Sequence, residues 1–124
     1  MTMKAKWRTK EEKVREALER ELGKCLPEKN VLLTGTDSTY KFDMVSPDGT
    51  IVGETKTNTW RGNREPYTKM AHASEACLFL LHAKDAKKRL LVLTDPKFAK
   101  HYAESRQGQM VQADGVTIRT MSID

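Results

Sequence analysis

The chain has 124 residues, 38% of them hydrophobic and 31% charged, with a formal net charge of +5 and a pI near 9.3. This suits one domain whose core can form without disulfide or metal support. It holds no run of about 18 apolar residues that could cross a membrane, and its basic balance favours a polyanionic partner. Nucleic acid comes ahead of an anionic membrane, because no amphipathic stretch joins a basic face to a bulky aromatic one.

The opening MTMKAKWRTKEEK lacks the apolar core of a secretory signal, and Cys25 and Cys77 follow no CxxC or Cys/His spacing. Reduced thiols and a cytoplasmic location are therefore expected. Residues 9 to 23 predict a helix, with Thr9 as cap, Glu12 at the capping-box position and Gly23 as stop. Val14, Leu18 and Leu22 form its apolar stripe, and Glu11 lies on the same face. Val31 to Thr34 reads as a short strand. Thr39 to Val45 and Thr50 to Thr57 read as two more, joined by Ser46-Pro47-Asp48-Gly49 in a type I turn.

After a loop at Trp60 to Asn63 the periodicity becomes helical over about 65 to 83. Tyr67, Met70, Ala71, Ser74, Cys77, Leu78 and Leu81 then share one face. Arg89 to Thr94 is a continuous apolar run, the pattern of a central strand covered on both sides. Residues 96 to 106 predict a helix opened by Pro96, and the tail after Ala113-Asp114-Gly115 predicts an edge strand or small hairpin. The order helix, three strands, helix, strand, helix, strand implies an α/β fold, a mixed sheet of four or five strands flanked by helices.

The chemistry concentrates in FDMVSPDGTIVGETK, residues 42 to 56. Two carboxylates converging on one point hold a hard divalent cation, Mg²⁺ above all, and leave positions for water and a phosphate oxygen. A lysine two residues after one of them shares its face of the strand and can steady an attacking water or a phosphorus centre gaining charge. If Ser46 faces Gly49 across the hairpin, Asp43 faces Val52. Glu54 and Lys56 are then on the side of Asp43, with a diagonal Asp43–Glu54 separation of roughly 7–8 Å. A three-residue loop with a bulge instead turns Asp43 away; the sequence leaves both registers open.

Phe42-Asp43, ten intervening residues and then Glu54-Thr55-Lys56 at a strand end resemble the PD-(D/E)xK nuclease superfamily, whose fold is called restriction-endonuclease-like. The family core is a helix, a three-stranded meander, a helix and a further strand, and residues 9 to 94 follow that order. The resemblance implies a DNA endonuclease using Mg²⁺, with Mn²⁺ as substitute and no small organic cofactor. Asp43 and Glu54 would be its metal-binding acids and Lys56 its catalytic lysine. Asp48 belongs to a literal Pro-Asp pair but sits in the turn, so Asp43 is the preferred acid. Some members, such as archaeal Holliday-junction resolvases, add a glutamate from the first helix; Glu11 fits that role best, with Glu12 and Glu16 as rivals. Residues 95 to 124 lie outside the resemblance.

The loop TNTWRGNR gathers Arg61, Asn63 and Arg64 around Trp60, with Lys69 opening the next helix. Arginines and amides suit phosphates, and an indole can stack on a base or tuck into the core. His72, His82 and His101 have no partner at metal spacing and read as surface or rim residues. The rival readings are a fold of this kind that binds nucleic acid without cutting it, a nuclease acting on RNA or on branched or damaged DNA, and a subunit of a larger restriction or recombination complex. So small a chain also fits a homodimer with one site per strand of a duplex.

Overall fold

The computed structural model describes residues 8–123. Helix α1, Lys10–Leu22, begins at Thr9, whose hydroxyl accepts from the Glu12 N–H while the Glu12 carboxylate accepts from the Thr9 N–H. It ends at Gly23, in the left-handed region at φ 68°. These are the caps expected from the sequence.

Strands β1 (Lys29–Leu32) and β2 (Thr39–Phe42) form an antiparallel ribbon. After a break at Asp43 come β3 (Met44–Val45) and β4 (Ile51–Lys56), again antiparallel. Helix α2 (Tyr67–His82) then carries the chain to β5 (Lys88–Leu93), parallel to β4. Helices α3 (Pro96–Glu104) and α4 (Arg106–Ala113) carry it to β6 (Val116–Thr120), parallel to β5. The main sheet runs β3-β4-β5-β6, mixed and flanked by helices.

Strand alternation divides the core between the two faces. Val14 and Leu18 of α1, with Leu26, pack against Met44, Ile51, Leu90 and Val92 on one side. Met70, Ala73, Cys77 and Leu80 of α2, with Phe98 and Tyr102 of α3, pack against Val45, Val52, Leu91 and Leu93 on the other. Strand β5 is central and covered on both faces, which is why its sequence shows no alternation.

Three expectations are corrected. The strand expected over 39 to 45 is two, because β2 turns away to pair with β1 while β3 stays on β4. The buried stripe of α2 is Met70, Ala73, Ala76, Cys77 and Leu80. Tyr67, Ala71 and Leu78 are exposed, because this helix is apolar around much of its circumference and its period alone does not choose a face. The helix after Pro96 stops at Ser105, and a second one follows. Ser105 caps α4 by accepting from the Gly108 N–H, and Gly108 lies so close to α3 that a Cβ there would sit 1.8 Å from the Tyr102 carbonyl oxygen. Among the described residues no helix is long and apolar enough to cross a membrane.

Candidate active site

The hairpin register is set by its turn. Ser46 donates its N–H to the Ile51 carbonyl, leaving a four-residue loop, 47–50, with Gly49 at φ 76°. Asp48 ties that loop together: Ser46 Oγ donates to its Oδ1 at 2.7 Å, and Thr50 does so through N–H at 3.1 Å and Oγ1 at 2.8 Å. These donors, the Ser46 hydroxyl first, hold the Asp48 carboxyl well below the usual range. Asp48 is thus a turn residue. Val45 stands opposite Val52 and Met44 opposite Gly53. The register differs by two residues from the one expected but keeps its parity. Continued one step, it sets Asp43 across from Glu54 rather than diagonal to it.

At that step the main-chain ladder stops and side chains replace it. The Asp43 N–H donates to Glu54 Oε2 at 2.9 Å, and the Thr55 N–H donates to Asp43 Oδ2 at 2.9 Å. The remaining Glu54 oxygen, Oε1, accepts from the Tyr40 hydroxyl at 3.0 Å. Tyr40 stacks on Phe79 of α2, with ring centres 4.1 Å apart, and meets Phe42 edge-on. Sequence reasoning missed Tyr40. Its one signal was alternation, which puts it on the face of Phe42, on the strand leading to Asp43.

Glu54 is only 3% exposed. Burial, then the neighbouring Asp43 charge, push its carboxyl up to about 7, against the N–H of Asp43, the hydroxyl of Tyr40 and the charge of Lys56. Asp43 is half-buried, and burial raises it too. The Thr55 N–H and the Lys56 charge pull it down, and the Glu11 and Glu28 charges push it up. Lys56, half-buried at the end of β4, lies on the Glu54 face by alternation, and its charge reaches both acids.

Of the first-helix glutamates, Glu12 is held in the capping box and Glu16 pairs with Arg8 at 2.9 Å. Glu11 is half-buried and is the one whose charge bears on Asp43. It does not complete a ligand cluster: among the described residues no three His, Cys, Asp or Glu side chains are grouped closely enough to hold a metal. The donor chemistry still fits Mg²⁺. That ion is commonly held by one or two carboxylates and keeps several waters, and Asp43 with Glu54 offers an all-oxygen pair. The buried Thr55 hydroxyl, on the residue bonded to Asp43, has no partner of its own.

The loop after Lys56 is fastened to α2 and α3. Asp95 Oδ2 accepts from the Trp60 N–H at 2.6 Å, while Asp95 Oδ1 caps α3 through the Lys97 N–H. Trp60 Nε1 donates to the Arg64 carbonyl at 2.8 Å, Lys97 Nζ donates to the Gly62 carbonyl at 2.7 Å, and Lys69 Nζ donates to the Thr59 carbonyl. The Trp60 ring is half-buried under Lys97, 4.3 Å from its centre, and beside the His101 ring at 4.6 Å. Its exposed area is therefore reduced on the side of α3. Arg61, Asn63 and Arg64 are exposed. His101 pairs with Glu65 at 2.5 Å, consistent with a rim residue.

No protein-family model matches the chain, and no curated protein matches it.

Proposed function

We propose that the protein is a divalent-metal-dependent nuclease of restriction-endonuclease-like fold that hydrolyses phosphodiester bonds in DNA, working in the cytoplasm. The observation that supports this best is the acid pair. Asp43 and Glu54 face each other where the ladder breaks, with Glu54 buried and its carboxyl pushed up to about 7 by that burial and by the Asp43 charge, and Lys56 lies on the same face. As a structural splice alone the pair costs mutual repulsion between two desolvated carboxylates, a cost that a bound cation would remove.

Mg²⁺, or Mn²⁺ in its place, would be held by Asp43 and Glu54, with Glu11 close enough to add charge; when bound it lowers the pKa of a water and neutralises phosphate charge. The chain's own contributions are positional and electrostatic. The Asp43 N–H and Tyr40 hydroxyl fix the Glu54 carboxylate, and the Thr55 N–H fixes that of Asp43. The Lys56 ammonium places positive charge where negative charge develops on a phosphorus centre. Arg61, Asn63, Arg64 and Lys69 would contact the nucleic-acid backbone. A second copy would set a second site on the other strand of a duplex.

One observation favours a second reading. Both Glu54 oxygens already accept hydrogen bonds, so the pair can also serve to join β3 to β4 in a protein that binds nucleic acid without cutting it, alone or as a subunit of a restriction or recombination complex. The two are separated by incubating labelled single-stranded, duplex, flapped and four-way-junction DNAs, and an RNA, with the protein in Mg²⁺, Mn²⁺ or EDTA. Cleavage in either metal and none in EDTA supports the nuclease. Salt-sensitive binding with no cleavage in any metal supports the binder.

A further inference from the structure

Tyr67, the first residue of α2, is 72% exposed, more than any other large hydrophobic side chain described. It forms part of the wall of two clefts. One, of about 330 Å³, is lined by Trp60, Arg61, Arg64 and Lys69 among others. The other, of about 630 Å³, is lined by Met70, His101, Arg106 and Gln107 among others. Tyr67 and Glu65 are common to both, so the phenol ring stands between a hollow bordered by Arg61, Arg64 and Lys69 and one bordered by Arg106, with Glu104 also on its wall.

The acids nearby have partners of their own: Glu104 pairs with Lys100, and Glu65 bonds the His101 ring. Among the described residues Arg61, Arg64 and Arg106 enter no ion pair with a carboxylate. An exposed aromatic face bordered by uncommitted guanidinium groups matches a base with phosphates on either side. It does not match an apolar protein surface, which would leave those charges desolvated and unpaired. Tyr67 stands at the end of the sheet where Lys56 lies. The loop from Lys56 to Tyr67 is bonded at Trp60 to Asp95, two residues beyond β5.

We infer that Tyr67 is a stacking post for an unpaired nucleobase, with Arg61 and Arg64 on one side and Arg106 on the other taking the adjoining phosphates. The substrate of the Asp43–Glu54–Lys56 site is then nucleic acid with single-stranded or branched segments, rather than continuous duplex. This rests on the nuclease reading insofar as it names that site's substrate. Trp60, partly covered by Lys97 and His101, is the lesser stacking surface.

The test is binding in EDTA, where nothing is cut. Wild type, Tyr67→Ala and Tyr67→Phe are titrated against a labelled single strand, a duplex of the same sequence, a flapped duplex and the matching single-stranded RNA. The single strand carries 2-aminopurine to report stacking. Tyr67→Ala should weaken the single strand and the flap about tenfold and abolish the quenching of 2-aminopurine, since aromatic–base stacking is worth about that much. Tyr67→Phe should stay within about twofold, and duplex affinity should hardly change. Wild-type affinities for the DNA and RNA strands identify the sugar. An unchanged single-strand affinity in Tyr67→Ala, or an equal loss on duplex, overturns the stacking post and leaves the nuclease reading standing. A wild type that binds none of the probes overturns the stacking post, and the nuclease reading is then decided by cleavage in Mg²⁺ or Mn²⁺.

Discussion

The main-chain N–H of Asp43 donates to the side chain of Glu54 at 2.9 Å, so the two acids that repel as charges are joined by a hydrogen bond from one residue's backbone to the other's carboxylate. Each carboxylate substitutes for a main-chain acceptor that the ladder lacks at the break, since Asp43 accepts in turn from the Thr55 N–H. The protein therefore holds two desolvated acids side by side. That arrangement has consequences for stability as well as for activity.

The first concerns pH. The Glu54 carboxyl is raised from 4.5 to about 7 in the folded state. Between those values the native chain keeps a proton that the unfolded chain has released, so stability falls as pH rises through that window and levels off above it. The loss is at most about 3–4 kcal/mol, from about 1.4 kcal/mol per pH unit over that window. Urea unfolding in EDTA from pH 4.5 to 8 should show the slope, and Glu54→Gln should flatten it. Addition of Mg²⁺ at pH 8 should restore stability to wild type and not to Glu54→Gln.

Tyr40→Phe tests the third partner of the pair. The ring keeps its stack on Phe79, but Glu54 Oε1 loses the only donor described for it. The cost should be about 1–3 kcal/mol at pH 8, where Glu54 is ionised. It should shrink near pH 5, where the carboxyl is protonated. Chemical denaturation at the two pH values measures the difference.

Asp95 ties the loop to α3 with both carboxylate oxygens, one on the Trp60 N–H and one on the Lys97 N–H. Asp95→Ala should cost about 1–2 kcal/mol through the lost cap. It should also free the loop, giving a red-shifted Trp60 emission when measured in a Trp7→Phe background.

Gly108→Ala addresses the α3–α4 junction. The added methyl would lie 1.8 Å from the Tyr102 carbonyl oxygen and 2.7 Å from its carbon, both backbone atoms. Overpacking of this kind should cost about 3 kcal/mol or more and lower the thermal midpoint sharply.

The elements with local signals were legible in the sequence. Thr9, Glu12 and Gly23 mark both ends of α1, and the unbroken apolar run of β5 marks a covered strand. Asp43, Glu54 and Lys56 were singled out as two acids and a lysine at the ends of neighbouring apolar runs, with the register open; the observed register has the parity that sets Asp43 on the Glu54 side, although the turn is two residues longer than the two-residue one weighed. What failed was set by tertiary contacts. The break at Asp43 exists because β2 finds β1, and nothing in Thr39 to Val45 records that competition. The buried face of α2 was misjudged because Ala71, Leu78 and Leu81 are as apolar as the residues that face the sheet. Helix α4 was missed because RQGQMVQA holds a glycine and no apolar stripe; Ser105 and the close approach of Gly108 to Tyr102 define it. Trp60 was left between base stacking and core packing, and the structure half-buries it against Lys97 and His101, residues 37 and 41 positions onward.

A hydrolytic centre built from Asp43, Glu54 and Lys56 is open to one decisive measurement, single-turnover cleavage by Lys56→Ala. The DNA should be the one that wild type cuts best in Mg²⁺, with folding of the variant checked by its unfolding midpoint. Removing a group that stabilises developing charge costs about 10²–10³ in rate. The expected result is a loss of that size with the midpoint shifted by no more than a few degrees and DNA affinity in EDTA retained within about threefold. Cleavage by Lys56→Ala at the wild-type rate would contradict the assignment, and so would a wild type that cuts equally well in EDTA.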